Sequence, residues 1–206
     1  METACPCAGL VLAAGRSTRM GVFKPLLSLG SRTVIESAVG AMTQAGLAPV
    51  VVVAGFRGDA VARVLDGNQV SVTYNPVVDA DMLSSIQCGL KTLPGDRPVA
   101  ILPGDQPFVP SGVIPVLVDV FHRLGGIVVP TCRGKNGHPV IVGPAYFPEI
   151  AGLSGAGGLK QLQERHPGQV CFVEVSEDGV LVDLDTPEDY QRALKRIAGE
   201  TGQDGI

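Results

Sequence analysis

The stretch LAAGRSTRMGVFKP, Leu12 to Pro25, sets two glycines (Gly15, Gly21) among three cations (Arg16, Arg19, Lys24) directly after an apolar run. Glycines there are free to take positive φ and bring backbone N–H groups close to a ligand, while the cations supply charge, a combination that suits phosphate. Two familiar phosphate loops are excluded by spacing. Five residues separate the glycines and Lys24 is followed by Pro25, so the Walker pattern fails, and no G-x-G-x-x-G fingerprint is present. The bland alternative is a solvated connector. Against it, Leu26, Leu27 and Leu29 tether the far end of the loop, and three cations would crowd there without partners.

Two aspartates also end apolar runs: Asp105 after VAILPG and Asp185 after VLVDL. Carboxylates converging beyond strand ends suit Mg²⁺, a hard ion that takes one or two carboxylates and fills its shell with phosphate oxygens and water. Both strings have ordinary readings as well. D-T-P-E-D starts a helix with Thr186 as N-cap, Pro187 at N1 and Asp189 at N3, and Asp105-Gln106-Pro107 makes a turn. Capping leaves Asp185 unexplained, whereas Asp183, inside the run, pairs structurally. His138, between Gly137 and Pro139, reads first as a packed or hydrogen-bonded histidine. Asn75 and Ser85 stand where a loop meets a helix, the place of turn and cap residues. Neither Ser84 nor Ser85 has a histidine or lysine nearby to make it a nucleophile.

The elements that must carry these residues alternate in kind. Strands are predicted at 9–13, 50–54, 70–74, 99–102 and 126–130, with helices at 33–45, 58–65, 83–93 and 111–124 between them, the rhythm of βαβ units. Strands such as VVVVA are apolar throughout, which fits burial on both faces. Further on, 138–142 is a strand that runs antiparallel, 145–152, 157–166 and 187–198 are helices, and 170–175 and 180–184 are strands. The expectation is one α/β domain over residues 1–206, a single doubly wound, mostly parallel sheet with an antiparallel strand or hairpin in its C-terminal half, ending in a frayed tail at 199–206. Ligands bind such sheets beyond the carboxyl ends of the strands, where the loop and both aspartates fall.

The chain has 206 residues, 45% of them hydrophobic, and a net charge of −4, so nucleic acid and anionic membrane are not expected partners. Its apolar runs are strand-sized, too short to cross a bilayer. The N-terminus lacks a basic residue before its apolar run and reads as the first strand of a cytoplasmic protein, not as a signal peptide. Five scattered cysteines, an odd number, point to reduced thiols, and Cys5-Pro-Cys7 matches neither a redox motif nor a usual zinc spacing.

The loop L-A-A-G-R-S-x-R-M-G-x-x-K-x-L-L resembles the signature loop of the MobA-like nucleotidyltransferases, most closely their molybdenum cofactor cytidylyltransferase branch. Four further segments match in order: YNPVVDADMLSSIQCGL (74–90), LPGDQP (102–107), GHPV (137–140) and LVDLDTPEDY (181–190). This resemblance implies a Rossmann-like nucleotidyltransferase fold and Mg²⁺-dependent transfer of CMP from CTP, or of another NTP's nucleotidyl group, to the terminal phosphate of molybdopterin, with pyrophosphate leaving. It implies catalytic roles for Lys24, Arg19 and Asp105, and Mg²⁺ on Asp105 and Asp185. It places Leu12, Ala13, Ala14, Gly15, Arg16, Asn75, Ser85, Gly104 and His138 around the two substrates, His138 beside the acceptor. Guanylyl relatives commonly open the loop with L-A-G-G and cytidylyl relatives with L-A-A-G, so Ala14 favours CTP. A molybdenum hydroxylase or its maturation factor is an implied transient partner.

Two positions depart from the family pattern on what the resemblance makes the acceptor side: Asp81 replaces a frequent Gly, and Ala156 a frequent Asp. Competing readings keep the chemistry but change the substrates, to GTP or to a sugar phosphate acceptor, or make the chain a non-catalytic cofactor-binding relative. Intact Lys24, Asp105 and Asp185 argue against the last.

Overall fold

A computed structural model describes residues 7–77, 79–155 and 157–201, without the side chains of Arg19, Glu200 and Thr201. Among these described residues, eight strands form one sheet: β1 (Ala8–Ala13), β4 (Val50–Ala54), β5 (Ser71–Tyr74), β6 (Val99–Pro103), β7 (Ile127–Cys132), β8 (Lys135–Asn136), β9 (Val140–Val142) and β10 (Val170–Glu174). They lie in the order β10-β7-β9-β6-β1-β4-β5, with β8 on β7. The ladders β6–β1, β1–β4, β4–β5 and β7–β10 are parallel. Strand β9 runs antiparallel between β6 and β7, as the sequence led us to expect of 138–142.

Alternation along the strands sorts their side chains into two cores. Val11, Val52, Ala100, Leu102 and Val128 face the first, which is closed by α1 (Val34–Gln44), α2 (Gly58–Val64) and α4 (Val113–Leu124). Leu10, Val51, Val53, Ile101 and Ile127 face the second, closed by α3 (Met82–Leu90), α5 (Phe147–Gly152) and α6 (Lys160–Arg165). Covered on both faces, the central strands need no polar side, which is why they read as unbroken apolar runs. Helix α1 starts at a capping box, Thr33 and Glu36 each satisfying the other's backbone N–H.

Two expectations need correction, and one element was not foreseen. Residues 180–184 are not a strand. A 3₁₀ turn spans Asp178–Leu181, within which the Val180 carbonyl accepts from the His138 N–H, and beyond it the Leu184 N–H donates to the Asp105 carbonyl. The last helix, α7 (Pro187–Thr201), runs through 199–201, so that part of the expected tail is helical; residues 202–206 lie outside the described residues. A hairpin of β2 (Ser28–Leu29) and β3 (Arg32–Thr33) was not expected, and α7 is anchored to it by the Tyr190 hydroxyl, which donates to the Ser28 carbonyl at 2.6 Å.

The turn before Asp185 fits where it does because position 179 has no side chain. A Cβ on Gly179 would lie 2.0 Å from the Phe108 carbonyl oxygen, three residues beyond Asp105. Gly179→Ala must therefore push the 178–185 segment off the loop that carries Asp105. Overpacking of this kind costs about 1–3 kcal/mol. Chemical denaturation should show that loss, together with activity reduced beyond the unfolded fraction.

Candidate active site

The carboxyl ends of β1, β4, β5 and β6 open on one edge of the sheet, and the loops that leave β1, β5 and β6 enclose a cleft of about 190 Å³. Leu12, Ala13, Ala14, Gly15, Ser17 and Lys24 form one wall, Pro103, Gly104 and Asp105 the floor, and Ala80, Asp81, Met82 and Ser85 the other wall. Gly104 has no room for a side chain: a Cβ there would lie 2.8 Å from the Leu12 carbonyl oxygen. The close approach lets the Gly104 N–H donate to that carbonyl, clamping the first loop to the Asp105 loop.

The first loop is shaped differently from its sequence reading. Gly21 takes positive φ, 66°, but Gly15 does not; Ser17 adopts the left-handed conformation instead, with φ 57°. Nothing lies within 4 Å of where a Gly15 Cβ would stand, so its missing side chain leaves the cleft open. The Ser17 hydroxyl accepts from the Lys24 N–H at 3.1 Å and closes the loop on itself. Arg19 sits in a 3₁₀ turn, Thr18–Met20, and its side chain lies outside the described part of the structure.

Lys24 is the pivot. Its side chain is buried, and Nζ donates to Asp185 Oδ1 at 2.8 Å and to Asp105 Oδ2 at 3.1 Å. Burial works against the ammonium, but the hydrogen bonds and charges of Asp185 and Asp105 outweigh it and hold its pKa above the ordinary lysine value. Asp185 reaches this point through the two backbone pins described above and through its helix start. The Thr186 hydroxyl accepts from the Asp189 N–H, and Asp189 Oδ2 accepts from the Asp185 and Thr186 N–H groups, as the D-T-P-E-D string suggested. Asp183 adjoins this group instead of pairing elsewhere: desolvation, then the charges of Asp185 and Asp105, raise its pKa. Among the described residues no three metal-ligating side chains gather in coordinating geometry. Two hard carboxylate donors do converge on one point, a donor set that fits a divalent ion completing its shell with phosphate and water.

Other expected residues are near but differently engaged. Asn75 is buried; its amide nitrogen donates to the Ser84 and Ser85 hydroxyls, and its oxygen accepts from the Val77 N–H. Its amide thus fastens the loop after β5 to α3. Asp81, the added carboxylate, caps α3 by accepting from the Ser84 N–H at 2.7 Å. Ala156 lies outside the described residues. Arg16 and Asn75 line an adjoining hollow of about 180 Å³ that shares Ala14 with the cleft, and Arg16 is paired there with Asp79 at 2.8 Å. Sequence reasoning missed Asp79, which takes positive φ without being glycine, and Phe56, over which the Arg16 guanidinium stacks. The nearest signal was the glycine-flanked Phe56-Arg57 pair directly after β4.

His138 is not on the cleft wall. It is half-buried, and its backbone N–H donates to the Val180 carbonyl. Burial pushes its imidazole down to about 4, against the opposing field of Asp105. The unfolded chain's histidine takes its proton first, near 6.5, so the stability tied to the neutral ring is complete above that pH. It is lost as pH falls from about 6.5 towards 4, up to roughly 3 kcal/mol. Ring-proton NMR titration should give a His138 midpoint near 4; a midpoint near 6.5 would mean a solvated ring.

A family model described as "MobA-like NTP transferase domain" matches residues 9–170. The chain is 23% identical over 194 residues to the molybdenum cofactor cytidylyltransferase of Escherichia coli, covering 91% of this chain and 95% of that protein. It is 31% identical over 205 residues to a probable molybdenum cofactor guanylyltransferase of Bacillus cereus, covering 94% and 98%. Bifunctional GlmU proteins also match; the chain spans 29% of the one from Pelobacter propionicus, at 34% identity over 139 residues. Among solved structures, Rv0371c of Mycobacterium tuberculosis superposes with a TM-score of 0.80 at 31% identity, covering 92% of this chain and 98% of that one. A structure of Rv0371c in complex with manganese superposes with a TM-score of 0.76 at 28% identity, covering 94% and 100%.

Proposed function

The chain belongs to the MobA-like NTP transferase family, and from that membership we propose that it transfers CMP from CTP to the terminal phosphate of molybdopterin, releasing pyrophosphate. The observation that carries this reading is the single ammonium of Lys24 shared between Asp105 and Asp185 at the end of a glycine-bearing loop. An acceptor phosphate is already ionised at neutral pH, so the reaction requires no strong general base, and the neutral, withdrawn His138 is not asked to be one. Its oxygen bonds to the α-phosphorus in line as the bond to the β-phosphate oxygen breaks.

What remains for the protein is positioning and charge. Backbone N–H groups around Gly15, with Arg19, hold the β- and γ-phosphates. Lys24 meets the charge that grows on the α-phosphate, and Asp105 and Asp185 would hold Mg²⁺. When bound, the ion neutralises phosphate charge and orients the oxygens of the displacement. The manganese complex of Rv0371c supports a divalent ion in this fold.

The choice of CTP rests on Ala14. Its carbonyl and methyl back onto Gly55, where a Cβ would lie 2.7 Å from the Ala14 oxygen, so this wall cannot recede to admit a larger base. Pyrophosphate release with Mg²⁺ and molybdenum-loaded molybdopterin, comparing CTP, GTP, ATP and UTP, tests the reading. Turnover with CTP alone supports it. Turnover with GTP instead would align the chain with its guanylyltransferase relative, and none with any nucleotide would sink the acceptor assignment.

A further inference from the structure

Lys24 Nζ occupies the point on which Asp105 Oδ2 and Asp185 Oδ1 converge, at 3.1 and 2.8 Å, with only 7% of the residue exposed. A divalent ion held by the same oxygens stands about 2.0–2.6 Å from each, inside the volume the ammonium fills. Size and like charge therefore make the two cations alternatives at this position. Nor can the ammonium simply withdraw, because two carboxylates facing one another uncompensated repel. Its four-carbon stem is flexible, and the loop that carries it lines the same cleft through Gly15 and Ser17. An anion bound along that loop is what would hold Nζ in a second place.

Building on the reading of this cleft as a metal-dependent triphosphate site, we propose that Lys24 is a placeholder: it keeps the Asp105–Asp185 pair closed to divalent metal until a triphosphate draws its Nζ away. Metal and nucleotide are then admitted together. By linkage, the factor by which the nucleotide strengthens metal binding is the factor by which metal strengthens nucleotide binding.

Mn²⁺ binding, read from the electron paramagnetic resonance signal of the free ion, tests this without reference to turnover. The proteins compared are the wild type, Lys24→Gln, Lys24→Met and Asp105→Asn in the Lys24→Gln background. Wild-type protein should bind Mn²⁺ alone at least tenfold more weakly than either Lys24 variant, the added Asp105→Asn should abolish the gain, and CTP should bring a protein-bound Mn²⁺ signal to the wild type. Equal affinity in the wild type and both Lys24 variants, at a site that Asp105→Asn removes, overturns the placeholder and leaves the metal reading standing. If neither Lys24 variant folds, the wild type decides alone: Mn²⁺ bound as tightly without CTP as with it overturns the proposal. No protein-bound Mn²⁺ in any form, with or without CTP, overturns the metal reading and the placeholder together.

Discussion

Lys24→Ala should lower kcat by about 10²–10³-fold while the KM for the nucleotide stays within about threefold, because the Nζ that the triphosphate draws out of the carboxylate pair acts mainly on charge that grows in the transition state. Rapid-quench turnover alongside equilibrium nucleotide binding measures both quantities. A raised KM with normal kcat would instead show that Lys24 binds ground and transition states alike. The ion pairs seen in the structure sharpen the expectation. With Lys24 as placeholder, the same class of substitution that removes turnover also tightens metal binding, so lost activity cannot be blamed on a lost metal. Lys24→Arg should not rescue: the buried site is filled by a compact ammonium 2.8 and 3.1 Å from its two carboxylates, and the broader, planar guanidinium cannot place one nitrogen as that point charge.

The residues of this site were legible in the sequence to different degrees, for physical reasons. Asp105 and Asp185 could be read because each ends an apolar run on the same edge of a parallel sheet, and because capping used up Thr186 and Asp189 but not Asp185. The parallel order was legible because strands such as β4, buried on both faces, carry no polar alternation. The segment 180–184 misled because V-L-V-D-L has a strand's composition. What decides its state is the 2.0 Å approach that only Gly179 allows and two pins to other loops, neither of which leaves a periodic trace. The β2–β3 hairpin was missed because two-residue strands have no period to detect. Gly30-Ser31 was its one signal, and Gly30 does take positive φ there. Gly15 misled in the other direction: it is open to the cleft and not left-handed, so its use is to leave space, which spacing alone does not distinguish from a turn. Asn75 and Asp81 show polar residues beside a site that are spent on its scaffold, an amide clamp and a helix cap.

Asp105→Asn should cost about 10³-fold in turnover, several kcal/mol of barrier, with little change in fold. Asparagine keeps the shape of the side chain and the backbone carbonyl to which Leu184 donates, and Lys24 retains Asp185 as counter-charge. Thermal unfolding should therefore move by only a few degrees, which separates lost chemistry from lost structure. Asp185→Asn should resemble it, and the double variant distinguishes shared from separate work. If both carboxylates serve one ion, the double variant loses little more turnover than either single one, since groups acting as a unit are not additive. Its stability should behave in the opposite way. With both partners neutral, the Lys24 ammonium is left buried without compensation, a loss of about 3–5 kcal/mol that neither single change incurs. Additive losses of turnover would mean that Asp105 and Asp185 do different jobs, and the shared-ion account of the site would fall while its fold stood unchanged.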